Sequence, residues 1–321
     1  MLQVIRYNEK YFDKWNKFVE DSNNGTIFHR IDFLDYHKDR FVSNEHHLIW
    51  IKGESIFAVM PFAIFDQEKQ RVGKTPYGSS FGGIVVSKKF RLKHAVETYK
   101  SLSKYFYSLK LDRIEMTLIP SFYSSVINFN FEYILSKEGY NISSRDVFNV
   151  VKLSGTYEDI WDGFDGRART SIRKSKKKFD IFLDVKPEDF YPILIEDKHR
   201  HNNSKPTHTL EDLIYLKQKF PKRIFFDIAV LKNNGAKAGV CYFICNTNVI
   251  MTFYMAQETL ALKEDGINVL LEYGFKRGKE LNMKYLDFGG STVGYEIQNI
   301  GVANFKESFG ATSYLREKYC K

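Results

Sequence analysis

The sequence predicts an α/β protein of the α+β kind, built from two related halves, and three observations carry that prediction. The chain has 321 residues, more than one ordinary domain of ~100–200 residues uses, and 43% of them are hydrophobic, enough for two cores. Two hairpins of the same form recur, HHLIWIKGESIFAVMPF from His46 and FDIAVLKNNGAKAGVCYF from Phe226. Each half then offers an aromatic-Gly-Gly turn, Phe81-Gly82-Gly83 and Phe288-Gly289-Gly290, a faint internal repeat of about half the chain.

Apolar periodicity gives the elements in order. Leu2 to Ile5 reads as a strand, and Tyr11 to Val19 as a helix with Phe12, Trp15, Phe18 and Val19 at helical spacing. A helix near Ile31 to His37 leads to the hairpin of His47–Ile51 and Ile56–Phe65. A loop of small residues from Lys74 to Gly83 then precedes the strand Ile84-Val85-Val86, the helix Leu92–Leu109 and the strand Arg113–Leu118. Tyr123 to Arg145 reads as irregular, and Val147–Leu153 as a strand. The second half repeats the scheme, with helices at Tyr157–Phe164, Ala168–Lys178, Pro187–His199 and Leu210–Lys219, and a strand at Ile181–Val185. Ile224–Leu231 and Lys237–Cys245 flank Asn233-Asn234-Gly235, a strong hairpin signal because a tight hairpin turn needs positive φ. Val249–Ala256, the helix Ile267–Lys279, the strand Tyr285–Phe288 and a helix over Val302–Phe309 complete the chain. Domains are expected at 1–150 and 151–321, the second carrying the main motifs.

Composition narrows the partners. Lys and Arg number 48 against 39 Asp and Glu, a net charge of +9 that favours anionic partners such as nucleotide pyrophosphates, tRNA or an acidic membrane face; DNA is not expected. Cys241, Cys245 and Cys320 lack metal-type spacing and fit a reducing compartment. His29, His37, His46 and His47 lack paired ligand spacing, so no metal site is expected. The first residues carry no apolar signal core, and no window reaches the ~20 apolar residues of a membrane span. The expectation is a cytoplasmic protein with at most peripheral membrane contact.

Candidate chemistry concentrates in the second half. Asp287 sits inside a short strand stopped by Gly289-Gly290, whose missing side chains admit positive φ and close approach of a ligand to backbone amides. Ser291 adds a hydroxyl. On the helix that Gly310 closes, Val302, Phe305 and Phe309 share a face and Lys306 lies off it. Seven of the twelve residues from Arg167 to Lys178 are Arg or Lys; Arg169, Arg173 and Lys177 form one ridge that suits phosphates as readily as solvent. In Lys205-Pro-Thr-His-Thr, Thr209 is a natural N-cap, and His208 is left over as a candidate general base. Tyr254, on a central strand, is a candidate proton donor. No Ser-His-Asp order or Cys-His pair stands out, which points to direct attack without a covalent enzyme intermediate.

The run DFGGST, a polar loop, and then Asn299-x-Gly301 with Lys306, Phe309, Gly310 and Ala311 resembles the closing signature of the FemAB-like acyltransferases, a branch of the GNAT superfamily. Arg167, Arg173-Lys174, Lys205 to Leu210 and Phe220-Pro221 resemble the same branch, so the likeness covers about Tyr157 to Tyr314. It implies two tandem GNAT-like domains, each a mixed, mostly antiparallel sheet flanked by helices. It also implies an N-acyltransferase with no permanently bound cofactor, moving an acyl group, first of all acetyl from acetyl-CoA, to an amine of a cell-envelope sugar or related metabolite, the acceptor being a small molecule or a nucleotide- or lipid-linked sugar. The alternative keeps the fold and takes aminoacyl-tRNA as donor, with a peptidoglycan precursor as acceptor. A second alternative is a non-catalytic module whose basic ridge docks RNA or an anionic membrane. By resemblance Lys306 lies at the active cleft, with Asp287 orienting it or the incoming amine, while Arg167, Arg173, Lys174, Ser291 and Asn299 contact substrate or phosphate, to which the ridge adds Arg169. The donor would lie on Gly289 and Gly290 and on the helix start at Gly266, Ile267 and Asn268, although Glu264 and Asp265 disfavour a pyrophosphate there.

Overall fold

A computed structural model describes residues 2–202, 204–292 and 300–321 of the chain. The chain divides into two units, Met1–Val147 with Thr292–Glu296 and Tyr314–Lys321, and Phe148–Ser291 with Ile297–Ser313. The last strand, from Tyr314 on, is grouped with the first unit.

The first unit begins with β1 (Gln3–Arg6), α1 (Phe12–Asp21) and α2 (Ile31–Leu34), which 3-10 turns extend to Arg40. Then follow β2 (Leu48–Lys52), β3 (Ser55–Met60), β4 (Ala63–Gln67), β5 (Gln70–Thr75), β6 (Val85–Val86), α3 (Leu92–Ser108), β7 (Arg113–Thr117), α4 (Asn130–Lys137) and β8 (Asn141–Lys152), whose residues from Phe148 on belong to the second unit. The strand expected over Ile56–Phe65 breaks at Pro61-Phe62, and β4 turns back as a second hairpin with β5, through positive φ at Glu68 and Lys69. The segment expected to be irregular, Tyr123 to Arg145, contains α4, whose Phe131, Ile134 and Leu135 bury against Ala95, Tyr99 and Leu102 of α3. β1, β2, β3 and β6 form one sheet, and β5 runs parallel to β7. Trp50 and Phe62, both fully buried, anchor the core.

In the second unit come α5 (Tyr157–Asp162), α6 (Gly166–Lys178), β9 (Phe179–Phe182), α7 (Pro187–Asn202), α8 (Leu210–Lys219), β10 (Ile224–Leu231), β11 (Lys237–Ile244), β12 (Val249–Gln257), α9 (Thr259–Lys263), α10 (Gly266–Glu280), β13 (Tyr285–Gly290) and α11 (Ile300–Glu307). β14 (Thr312–Cys320) returns to pair with β7. Asn233-Asn234-Gly235 makes the predicted turn, with Gly235 at φ +78°, and β10, β11 and β12 follow one another antiparallel. Thr209 caps α8, accepting from the amide of Asp212 while the Asp212 carboxylate accepts from that of Thr209. Burial of Asp227 is made tolerable by Arg277 of α10, whose guanidinium donates to both carboxylate oxygens at 2.7 and 3.0 Å. A cluster of Phe164, Phe275, Phe288 and Phe309 closes the core, with ring centroids 4.9 to 6.3 Å apart.

Candidate functional site

The site grows out of one divergence between strands. β12 and β13 run parallel from Val249 opposite Tyr285 to Met251 opposite Asp287, and there their pairing stops. β12 continues to Gln257 against β11, with a register shift between Cys241 and Tyr242, while Gly290 at the end of β13 lies opposite Phe148 of β8. Parallel strands that part leave backbone groups unpaired on their facing edges, and a bulge beside the gap re-aims side chains into it.

Lys306 meets the end of β13, past the point where that pairing stops. Phe309, three residues on, is fully buried in the aromatic cluster and so fixes the end of α11; Gly310, at φ +77°, then ends the helix as predicted. Anchored there, α11 turns Lys306 inward. The side chain expected off the packed face is buried, with 2% exposure, and its ammonium donates to the carbonyls of Gly289 at 3.0 Å and Gly290 at 2.7 Å. Burial pulls its pKa down from 10.5 to about 8, opposed by the nearby Asp287 carboxylate. Asp287 is buried and accepts from the amide of Gly289 at 2.7 Å, which holds the glycine turn in the φ +73° conformation. A fixed cation of modest pKa in a water-poor site can donate to a developing oxyanion and release a proton at little penalty.

The second cluster lines β12 beyond the gap. His208, buried, meets the Tyr254 hydroxyl through Nδ1 at 2.7 Å, and its ring packs edge-on against Phe253, itself stacked on Phe243. Tyr254 lies three residues past Met251, about 10 Å along the strand. The two residues singled out separately in the sequence thus form one hydrogen-bonded pair.

Other expected residues are placed differently. Ser291 donates to Oδ1 of Asn149 at 2.5 Å. Asn149 is fully buried with an amide nitrogen that has no partner among the described residues, and it escaped the sequence analysis although an amide inside Val147-Phe148-Asn149-Val150-Val151 is itself a signal. Asn299 lies outside the described residues. The start of α10 is not an open anion site: Gly266, Ile267 and Asn268 are buried, and Asn268 donates to Ser171 of α6 at 2.8 Å. Ser175 donates to the carbonyls of Glu264 and Asp265, and a β-carbon on Gly266 would stand 2.8 Å from that of Ala238. On α6, Lys174 pairs with Glu264 at 3.5 Å and Arg169 donates to the Asp162 carbonyl at 3.2 Å. Arg173 covers the Trp161 ring at 5.3 Å, whereas Arg167 is exposed without an ion pair among the described residues. Lys176 and Lys276 converge on Glu272 at 2.7 and 2.9 Å; against a burial that would raise it, they hold this carboxyl below its ordinary value. Part of the basic helix is therefore structural cement between α6 and α10.

No family profile and no curated protein sequence matches the chain. Solved structures do. FemX superposes with a TM-score of 0.71 at 10% identity, over 99% of this chain and 96% of that one. A tandem GNAT protein from the clavulanic acid biosynthesis pathway, solved without AcCoA, gives 0.55 at 11% identity over 100% and 98%. The L-PGS of Bacillus licheniformis gives 0.57 at 13% over 96% and 90%. The chain has the FemAB-like, tandem GNAT fold, as the closing motif implied.

Proposed function

We propose that the protein is an acyltransferase that passes an acyl group to an acceptor amine by direct attack. The observation that carries this is Lys306, buried between the Gly289 and Gly290 carbonyls where β12 and β13 part. A carbonyl carbon lodged in that gap turns tetrahedral when an amine attacks it, and its oxygen gains charge. Lys306, held rigid by α11, donates to that oxygen, while Asp287 keeps the glycine turn in register. As the intermediate collapses, the bond to the leaving oxygen or sulfur breaks and the amine sheds its proton. The Tyr254–His208 pair is suited to relay that proton.

For the donor, the covered start of α10 counsels against a pyrophosphate docked on Gly266 to Asn268. That favours an ester-linked aminoacyl-tRNA over acetyl-CoA, with exposed cations of α6 such as Arg167 and Arg173 available to RNA phosphates. Acetyl-CoA has its support in the tandem GNAT relative. The acceptor is an amine of a peptidoglycan precursor or other envelope sugar, a class suggested by the FemAB-like motif. Thermal-shift stabilisation of the full chain by aminoacyl-tRNA against uncharged tRNA and acetyl-CoA tests this, because a ligand that binds only the native state raises apparent stability. Stabilisation by acetyl-CoA alone overturns the tRNA donor; silence with all three, together with unimpaired function in Lys306→Ala, leaves the docking module.

A further inference from the structure

Far along the sequence from these motifs, the first unit displays apolar side chains that its core does not use. Val126 (53% exposed), Ile127 (66%) and Phe129 (58%) lie in succession before α4, and Tyr133 (51%) follows on its first turns. Single exposed apolar residues are ordinary, whereas a run of them is not. Beside them comes Lys88-Lys89-Phe90-Arg91-Leu92-Lys93, in which only Phe90 is buried and Leu92 is 46% exposed.

The two segments are stitched together by buried or half-buried asparagines. Asn23 exchanges hydrogen bonds with the Val126 backbone, donating to its carbonyl and accepting from its amide, both at 2.8 Å. Asn24 does the same for the strand before Lys88, at the Ile84 carbonyl and the Val86 amide, both at 2.9 Å. Asn128 donates to the Phe90 carbonyl at 2.7 Å, which closes the bridge directly from one segment to the other. A polar scaffold therefore holds Val126, Ile127 and Phe129 outward; they are presented by design of the backbone and not by loss of packing. The segments beside them are rich in cations. From Ser87 to Val96 there are four Lys or Arg and no carboxylate, and none occurs from Ser121 to Phe131. Glu132 is half-buried in the wall of the cavity between the segments, and Glu97 is the first acid along α3. Lys137 adds a further cation, 5.6 Å from the Tyr133 ring.

We propose that this face is a docking surface for an anionic phospholipid bilayer. Val126, Ile127 and Phe129 enter the headgroup boundary, Tyr133 sits at its level, and Lys88, Lys89, Arg91 and Lys93 meet the lipid phosphates. Exposed aliphatic side chains at the centre favour a lipid interface over RNA, which asks for cations and stacking rings without a greasy tip. The surface is separate in sequence from the α6 ridge, and the proposal does not rest on the acyl donor.

Co-sedimentation of the full-length protein with phosphatidylglycerol-rich vesicles, against pure phosphatidylcholine vesicles, measures it. Binding to the anionic vesicles alone is expected, weakening with added salt. At about five-fold per cation, Lys88→Glu/Lys89→Glu/Lys93→Glu should weaken it roughly a hundred-fold or more. Val126→Ser/Ile127→Ser/Phe129→Ser should weaken it at least about ten-fold, with unchanged thermal unfolding showing that both variants fold. A parallel reversal on α6, Arg167→Glu/Arg169→Glu/Arg173→Glu, should leave vesicle binding in place. The proposal is overturned by absent vesicle binding, by binding indifferent to both first-unit variants, by loss through the α6 reversal instead, or by RNA capture through Lys88, Lys89 and Lys93 in its place.

Discussion

Two glycine turns set the halves of this protein against each other. At Phe81-Gly82-Gly83 the neighbours are neutral: the Gly82 carbonyl meets the His29 imidazole at 3.1 Å, and the Gly83 amide meets the Thr75 hydroxyl at 2.8 Å. At Phe288-Gly289-Gly290 the carbonyls meet an ammonium, and a carboxylate takes the Gly289 amide. The first turn is packed shut, since a β-carbon on Gly82 would stand 2.3 Å from the Pro76 nitrogen; on Gly289 it would meet only the Met251 terminus at 3.6 Å. Buried neutral partners maximise stability, whereas a buried cation gives some of it up for a charge that a reacting carbonyl can use. The same local sequence is thus a fastening in one unit and a candidate active site in the other.

The largest expected effect breaks the comparison at Lys306. Lys306→Met should lower acyl transfer by about 10²–10³-fold, as for the loss of one oxyanion donor, while the unfolding transition persists; single-turnover transfer of a labelled acyl group reads it. The charge itself can be titrated: folded-state Lys306 loses its proton above pH about 8, so a rate that needs the ammonium should fall from there upward. A rate that instead rises through that pH would make Lys306 a base.

Next comes the neutral turn. His29 is fully buried and its pKa is pushed by burial from 6.5 down to about 4. The unfolded chain then binds the proton first, so this stabilisation is complete above pH 6.5 and fades as pH falls toward 4. At full loss it amounts to roughly 3 kcal/mol. His46 and His47 are lowered by burial too, to about 4 and about 3, so thermal unfolding followed from neutral to acid pH should show a steep loss that His29→Gln flattens only in part.

A smaller contrast separates the glycines. Gly82→Ala forces a β-carbon into backbone and should destabilise by roughly 2–3 kcal/mol, whereas Gly289→Ala meets only the left-handed backbone penalty of about 1–2 kcal/mol. Denaturant midpoints of the two variants compare them directly. Tyr254→Phe removes the hydroxyl that meets buried His208 and should cost about 1 kcal/mol of stability and, where the pair relays the proton, slow transfer by about 10²-fold; an unchanged rate would reduce the pair to a structural contact.

Much of this was legible because it is local. The Asn-Asn-Gly hairpin, the Thr209 cap, the glycine closing α11 and the order of elements in the second unit each follow from φ preferences and hydrogen bonds within a few residues. Side chains separated widely along the chain were harder. Periodicity put Lys306 off the apolar face, and only the resemblance put it at a cleft, because helical spacing locates an apolar stripe and is blind to what packs against the opposite side. Tyr254 and His208, 46 residues apart, could be named but not joined. That the helix start at Gly266 is covered was not legible either, because α6, far upstream, brings Ser171 and Ser175 against it. Helix α4 was missed since Asn128, Asn130 and the exposed Val126-Ile127 blur its period.

By itself, then, the sequence determined the fold class and the tandem arrangement, and named the residues proposed to build a site, through turn chemistry, capping and a motif whose spacing is local. Only the tertiary structure decided which charges are buried, which are tied into cement, and which pairs meet. Burial and desolvation depend on elements brought together across the chain, and those long-range contacts turn an ordinary lysine into a group with its pKa near 8.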